Sequence, residues 1–257
     1  MPTHLSGIST YCFRWCERCP FTLRCSVFEM GKQTGEASVR DYAVPRALPA
    51  LSGSYPAFLE RLDRQLAAEG LSVSAIQAGT SYTVASLRVQ SRQIVLNYMS
   101  GSEWVQRILR LANYSSPAVQ AAHVLNWYVL MLGPKIQRAL KGWEESTEPH
   151  GDYYYQDSRR TAYLVLLATA RATAAATVLL EDGTPPRPRL LEIVRQLIGI
   201  SQGMRNIFPD VSLFPRPFWD YEPYTSEQLA YYDGHPPLDP FRDGLWSFSG
   251  QRAPGGG

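Results

Sequence analysis

Cysteine and histidine are both scarce in this chain, four of each in 257 residues. All four cysteines fall in one short run, "YCFRWCERCPFTLRC", and the rest of the chain has none. Charge of one sign is also lacking. The formal net charge is only +2, so no whole-molecule field favours nucleic acid or an anionic membrane surface. Several catalytic signatures are missing too. There is no glycine-rich phosphate loop, no His-Glu-x-x-His and no paired Glu-x-x-His of a di-iron bundle. The N-terminal stretch has no basic start followed by an apolar run, so it does not read as a secretory signal. That absence predicts a cytoplasmic, reducing compartment, in which clustered cysteines bind metal more often than they form disulfides.

Long apolar runs are limited to one, "TAYLVLLATARATAAATVLL", from Thr161 to Leu180. It is about long enough to span a bilayer. Arg171 stands at its centre, however, and alanine and threonine are weakly apolar. The run therefore predicts a buried helix in a soluble protein, with no membrane span. The stripe of Leu, Val and Ala is core packing rather than a cofactor site.

What is present is mostly helical pattern. Ser54 and Pro56 open "YPAFLERLDRQLAAEG", where Phe58, Leu59, Leu62 and Leu66 share a face and Gly70 stops the helix. The β-branched stretch after it is ambiguous between strand and helix, and the set Val84, Leu87, Ile94, Val95 and Tyr98 favours a helix over about 81–99. Ser102 is a cap for "EWVQRILRLAN". Ser116 and Pro117 start a long helix, and Pro134 predicts a kink or break within it. Asp157 or Ser158 is the expected cap of the alanine-rich helix ending at Glu181, and the last helix ends near Pro209. The expectation is an all-α fold: a helical bundle of about five or six helices with an N-terminal cysteine-rich metal-binding loop and an irregular Pro/aromatic-rich C-terminal extension. The segments read as a four-cysteine module (1–30), a linker (31–54), the bundle (55–210) and the extension (211–257). That extension holds seven prolines and ten aromatics, which argues against a free solvated tail. It would wrap the bundle or dock a protein partner.

The cysteine run carries the chemistry. Its spacing is C-x3-C-x2-C-x5-C, from Cys12, Cys16, Cys19 and Cys25. Four thiolates in a tight loop suit an iron–sulfur cluster or zinc, and Pro20 favours a loop that wraps its ligand. Only one C-x2-C is present, whereas zinc ribbons pair two, so iron–sulfur is preferred. Disulfide, redox thiols or no ligand at all remain the alternatives. Arg14, Arg18 and Arg24 interleave the cysteines and would offset the site's negative charge, or simply form a solvated basic face. His4 lies away from the run.

The first three cysteines have a spacing that resembles that of radical S-adenosylmethionine enzymes. Arg18 stands where that family carries an aromatic residue, and the alternating strands and helices of its barrel are missing, so the assignment is rejected. A fourth cysteine would also close the iron position that such chemistry needs open. A closed set of this kind predicts a structural, electron-transfer or sensing role rather than hydrolysis at the metal. The leading expectation is a non-catalytic interaction or redox-accessory protein.

Elsewhere, His123 reads as a helix-face or core histidine, and His150 and His235 fall in loops with no triad beside them. "HGDYYYQDSRR" is the densest polar and aromatic segment, where Asp152, Asp157, Arg159 and Arg160 would line a pocket with Tyr153, Tyr154 and Tyr155. An iron–sulfur enzyme or electron-transfer protein using that pocket is the alternative function. An assembly protein docking through its tail is the third.

Overall fold

The computed structural model describes residues 4, 12, 24–33, 51, 55–79, 82–101, 103–110, 116–146, 152–183, 186–209 and 211, with side chains of 152–155 outside the description. Among these residues the fold is all-α: eight helices and no strand. They are α1 (Ser26–Gln33), α2 (Tyr55–Ala67), α3 (Val73–Ala78), α4 (Val84–Ser100), α5 (Glu103–Arg110), α6 (Pro117–Glu145), α7 (Asp152–Asp182) and α8 (Arg187–Ile207). Two short helices, α1 and α3, exceed the five or six that the sequence pattern suggests.

Local chemistry explains most of the boundaries. Gly70 takes φ 67 after α2, where the Leu71 amide reaches the Leu66 carbonyl at 3.1 Å and the Gly70 amide reaches Ala67 at 3.0 Å. That pair of bonds is the glycine-ended helix stop the sequence announces. Immediately afterwards α3 forms because two side chains cap it. Ser72 Oγ accepts from the Ala75 amide at 3.1 Å, and Asp63 Oδ1 accepts from the Val73 amide at 2.6 Å. Asp63 lies ten residues upstream, so its contribution depends on the chain having already turned. Thr83 caps α4 by accepting from the Ser86 amide at 3.2 Å, so the helix begins at Val84, three residues later than expected.

Two expectations require correction. Of the kink or break expected at Pro134, the break is absent: α6 runs unbroken from Pro117 to Glu145. Proline at 134 removes a bond to the carbonyl of residue 130, and both Leu130 and Pro134 lie on the exposed side, where water can satisfy that carbonyl. Second, neither Asp157 nor Ser158 caps α7, which starts at Asp152. Asp157 instead receives Arg138 Nε at 3.0 Å and Nη2 at 2.9 Å. Ser158 Oγ, fully buried, donates to the Ala139 carbonyl of α6 at 2.5 Å.

Four helices close a ring in which α4 packs on α6, α6 on α7, α7 on α8 and α8 on α4. Cross-helix pairs give their directions. Arg138 meets Asp157 while Tyr128 meets Arg171, so α6 and α7 are antiparallel. Tyr98 donates to Asn126 at 3.0 Å while Gln137 donates to Ser91 at 2.7 Å, so α4 and α6 are antiparallel. Gly101 lies against Arg189 and Gly203 against Leu87, which sets α4 antiparallel to α8. The result is an up-and-down four-helix bundle with short α7–α8 connection. Helix α2 lies outside α7 and parallel to it, tied by the ion pair of Arg61 with Glu181. Helix α3 leans on α8 and α2, and α5 on α6.

The core is continuous through the bundle and draws in Leu51, fully buried ahead of α2. Its axis is α7. This is the described helix long and apolar enough to cross a bilayer, and 94% of its most apolar window is buried inside the bundle. Seven buried alanines between Ala162 and Ala176 keep its surface thin enough for neighbours on several sides. Three of its threonines turn their hydroxyls back onto the helix: Thr161 donates to the Asp157 carbonyl at 2.8 Å, Thr169 to Leu166 at 2.9 Å and Thr177 to Thr173 at 2.9 Å. A polar side chain that bonds its own helix can enter the core without an orphaned group.

Close approach elsewhere also depends on small residues. A Cβ at Gly203 would lie 2.8 Å from Tyr82 Cβ and 3.0 Å from Leu87, and one at Gly199 would lie 2.6 Å from the Tyr82 hydroxyl. The two glycines of α8 thus form the seat for the Tyr82 ring at the entrance to α4.

Candidate metal centre

Cys25 immediately precedes α1, and its carbonyl accepts the first helical bond from the Glu29 amide at 3.0 Å. Cys25 therefore stands at the amino end of a helix. Cys25 and Cys12 are both half-exposed, and neither is in a disulfide. Cys16 and Cys19 lie outside the described residues, as do Arg14, Arg18 and Pro20. Among the described residues no group of three or more His, Cys, Asp or Glu side chains stands ready to hold a metal ion. His4 is exposed.

Helix α1 buries Phe28 at 4% exposure, apart from the continuous bundle core. Lys32 stands 4.9 Å above the Phe28 ring and 3.8 Å from Glu29. The helix crosses the expected boundary between the cysteine module and the following linker. Cys25 thus leads straight into a short amphipathic helix that extends past residue 30.

The second expected site is organised differently. Asp152 and Tyr153, Tyr154 and Tyr155 occupy the first turn of α7, with side chains outside the description. Asp157 is held by the Arg138 fork and Ser158 by α6. Arg159 and Arg160 are half-buried. These contacts give Asp157 and Ser158 places in the α6–α7 packing. His123 is half-buried on α6, while His150 and His235 fall outside the described residues.

Sequence reasoning missed two polar sites, one inside the core and one at its edge. The first joins α6 and α7: Arg171, only 5% exposed, donates from Nη1 to the Tyr128 hydroxyl at 2.5 Å. Its guanidinium carbon also lies 5.3 Å from the centre of the same ring. The residue that argued against a bilayer span is a core residue with an aromatic partner. Spacing alone could not pair Arg171 with Tyr128, which lies in another helix. The second site joins α2, α7 and α8. Burial pushes the Tyr55 phenol up to about 12, opposed by the Arg205 charge and the Thr173 side chain beside it. Arg205 is shifted the other way: burial lowers it and Tyr55 partly restores it. Tyr98 is likewise raised, by burial between α4 and α6.

These features define a class: an all-α protein built on an up-and-down four-helix bundle, with its N-terminal cysteines leading into a short helix. No protein family, curated protein or solved structure matches the chain.

Proposed function

We propose that Cys12, Cys16, Cys19 and Cys25 hold one metal centre, an iron–sulfur cluster in preference to zinc. The protein acts through it as a non-catalytic interaction or redox-accessory protein in the cytoplasm. The observation that carries this reading is the concentration of every thiol in one short run of sequence, with Cys25 at the head of α1. Two features of the described residues fit the donor chemistry: Cys12 and Cys25 stand outside disulfides, and both are accessible from solvent. Four thiolates around a cubane would permit one-electron transfer or sensing of oxidants. On zinc they would make a closed structural staple. The bundle, with α7 as a soluble core helix, serves as scaffold for that loop.

Anaerobic purification followed by metal and acid-labile sulfide analysis and a visible spectrum tests this directly. Iron with sulfide and a broad visible absorbance is the expected result, lost in single Cys→Ser variants. One zinc in colourless protein would replace the redox role with a structural one. Metal-free protein whose four variants all fold normally would overturn the metal centre.

A further inference from the structure

Helix α4 presents an apolar stripe to solvent. Val89 is 62% exposed, and Leu96 and Met99 are each 60% exposed. With the exposed Arg92 they occupy positions i, i+3, i+7 and i+10, a single strip along one side of the helix. Leu130 of the neighbouring α6 adds a further exposed side chain at 39%. Single exposed apolar residues need no explanation, but a strip of three along one helix is a docking surface in want of an occupant.

We propose that the occupant is the chain's own C-terminal segment, residues 212–257. Three observations point to it. The first is where that segment begins. Val211 is buried at 1% exposure just beyond α8. Helix α8 runs antiparallel to α4, with Gly203 against Leu87. The chain therefore leaves the bundle near the amino-terminal end of α4, from which the strip starts within two turns. The second is reach. From Val89 to Met99 the strip is about 15 Å long, and an extended chain covers roughly 3.3 Å per residue, so a small part of the segment suffices. The third is complementary composition. The segment carries ten aromatic residues, and its six acids against three arginines give it a net charge of −3. Helix α4 carries two arginines, Arg88 and Arg92, and no acid. Arg88 is paired with Glu144, which leaves Arg92 in the middle of the strip. Prolines spaced along the segment suit an extended strand laid over a helix face, its aromatic rings against Val89, Leu96 and Met99 and its acids near Arg92.

A photo-crosslinking phenylalanine analogue placed at Leu96 of the full-length protein tests the proposal. The expected result is crosslinks within one chain that map to residues 212–257, with the same analogue at exposed Ser74 of α3 giving none. Arg92→Glu in the Leu96 background should lower the yield roughly tenfold, equivalent to about 1.4 kcal/mol. Crosslinks between chains would instead assign the strip to a second copy and overturn the proposal. So would crosslinks to other parts of the same chain, equal yields from Leu96 and Ser74, or a yield indifferent to Arg92→Glu.

Discussion

Helices α7 and α4 are both long, and both belong to the same bundle ring, yet they solve opposite problems. Helix α7 is rich in alanine and threonine, carries an arginine at its centre and is buried along nearly all its apolar length. Helix α4 has the larger apolar side chains, Val, Ile, Leu and Met, and leaves three of them in solvent. Side-chain size, more than hydrophobicity, separates them. Small residues let partners approach α7 from several directions, and three of its threonine hydroxyls are satisfied along the helix itself. Helix α4 fits between α6 and α8 by one face only: a Cβ on Gly133 of α6 would lie 3.2 Å from the Ser91 carbonyl and 3.3 Å from Val95. Its outer face stays open.

The same substitution placed in both helices should separate them most strongly. Ala176→Leu inserts a bulky group where exposure is zero. It should cost about 3 kcal/mol, read as the denaturant midpoint. Ala85→Leu on exposed α4 should change stability by less than about 0.5 kcal/mol. Equal effects would dissolve the contrast.

Next in size is an alkaline weakness of the α7 surroundings. Tyr55 is raised to about 12 in the folded protein against 10.0 ordinarily. Below pH 10 both states hold the proton and the full stability is present. Between roughly pH 10 and 12 the unfolded chain ionises first, so stability falls as pH rises, by on the order of 2 kcal/mol. Tyr98 and Tyr82, also raised, add to the slope. Tyr55→Phe should flatten part of the unfolding free-energy curve in that window, and an unchanged slope would remove Tyr55 from the argument.

A smaller effect probes the seat between α8 and α4. Gly203→Ala should gain about 1 kcal/mol in helix propensity, yet lose more against Tyr82 Cβ, which cannot swing aside. A net loss of about 1 kcal/mol is expected. Pairing the change with Tyr82→Gly, which removes that Cβ, should recover the propensity gain relative to Tyr82→Gly alone.

The smallest effect belongs to α4's outer face. Val89→Ser should alter stability by no more than about 0.5 kcal/mol if the strip has no occupant. A larger loss that vanishes when the same change is made in a chain ending at residue 211 would strengthen the docking of the C-terminal segment.

Much of the bundle was legible because its signals are local. Gly70 stops α2, Pro117 opens α6 and the 3.6-residue repeats of α2 and α4 name their buried faces. The short α3 was not legible, since one of its caps comes from Asp63 in another helix. The start of α7 was misplaced for a related reason. Asp157 and Ser158 have the chemistry of caps, but Arg138 and the Ala139 carbonyl engage them from α6. A cap is a competition between local and distant partners, and spacing reports only the local ones.

The cysteine run is the most explicit feature of the sequence, since all four thiols fall within fourteen residues. By itself the sequence determined the helical periods, the principal starts and stops, and the gathering of every thiol at one end. Only tertiary structure decided which helix became the axis, that Pro134 would leave α6 unbroken, and that Arg171 would meet Tyr128. Those outcomes depend on which surfaces neighbours cover, and burial is a property of the packed molecule rather than of any single stretch of chain.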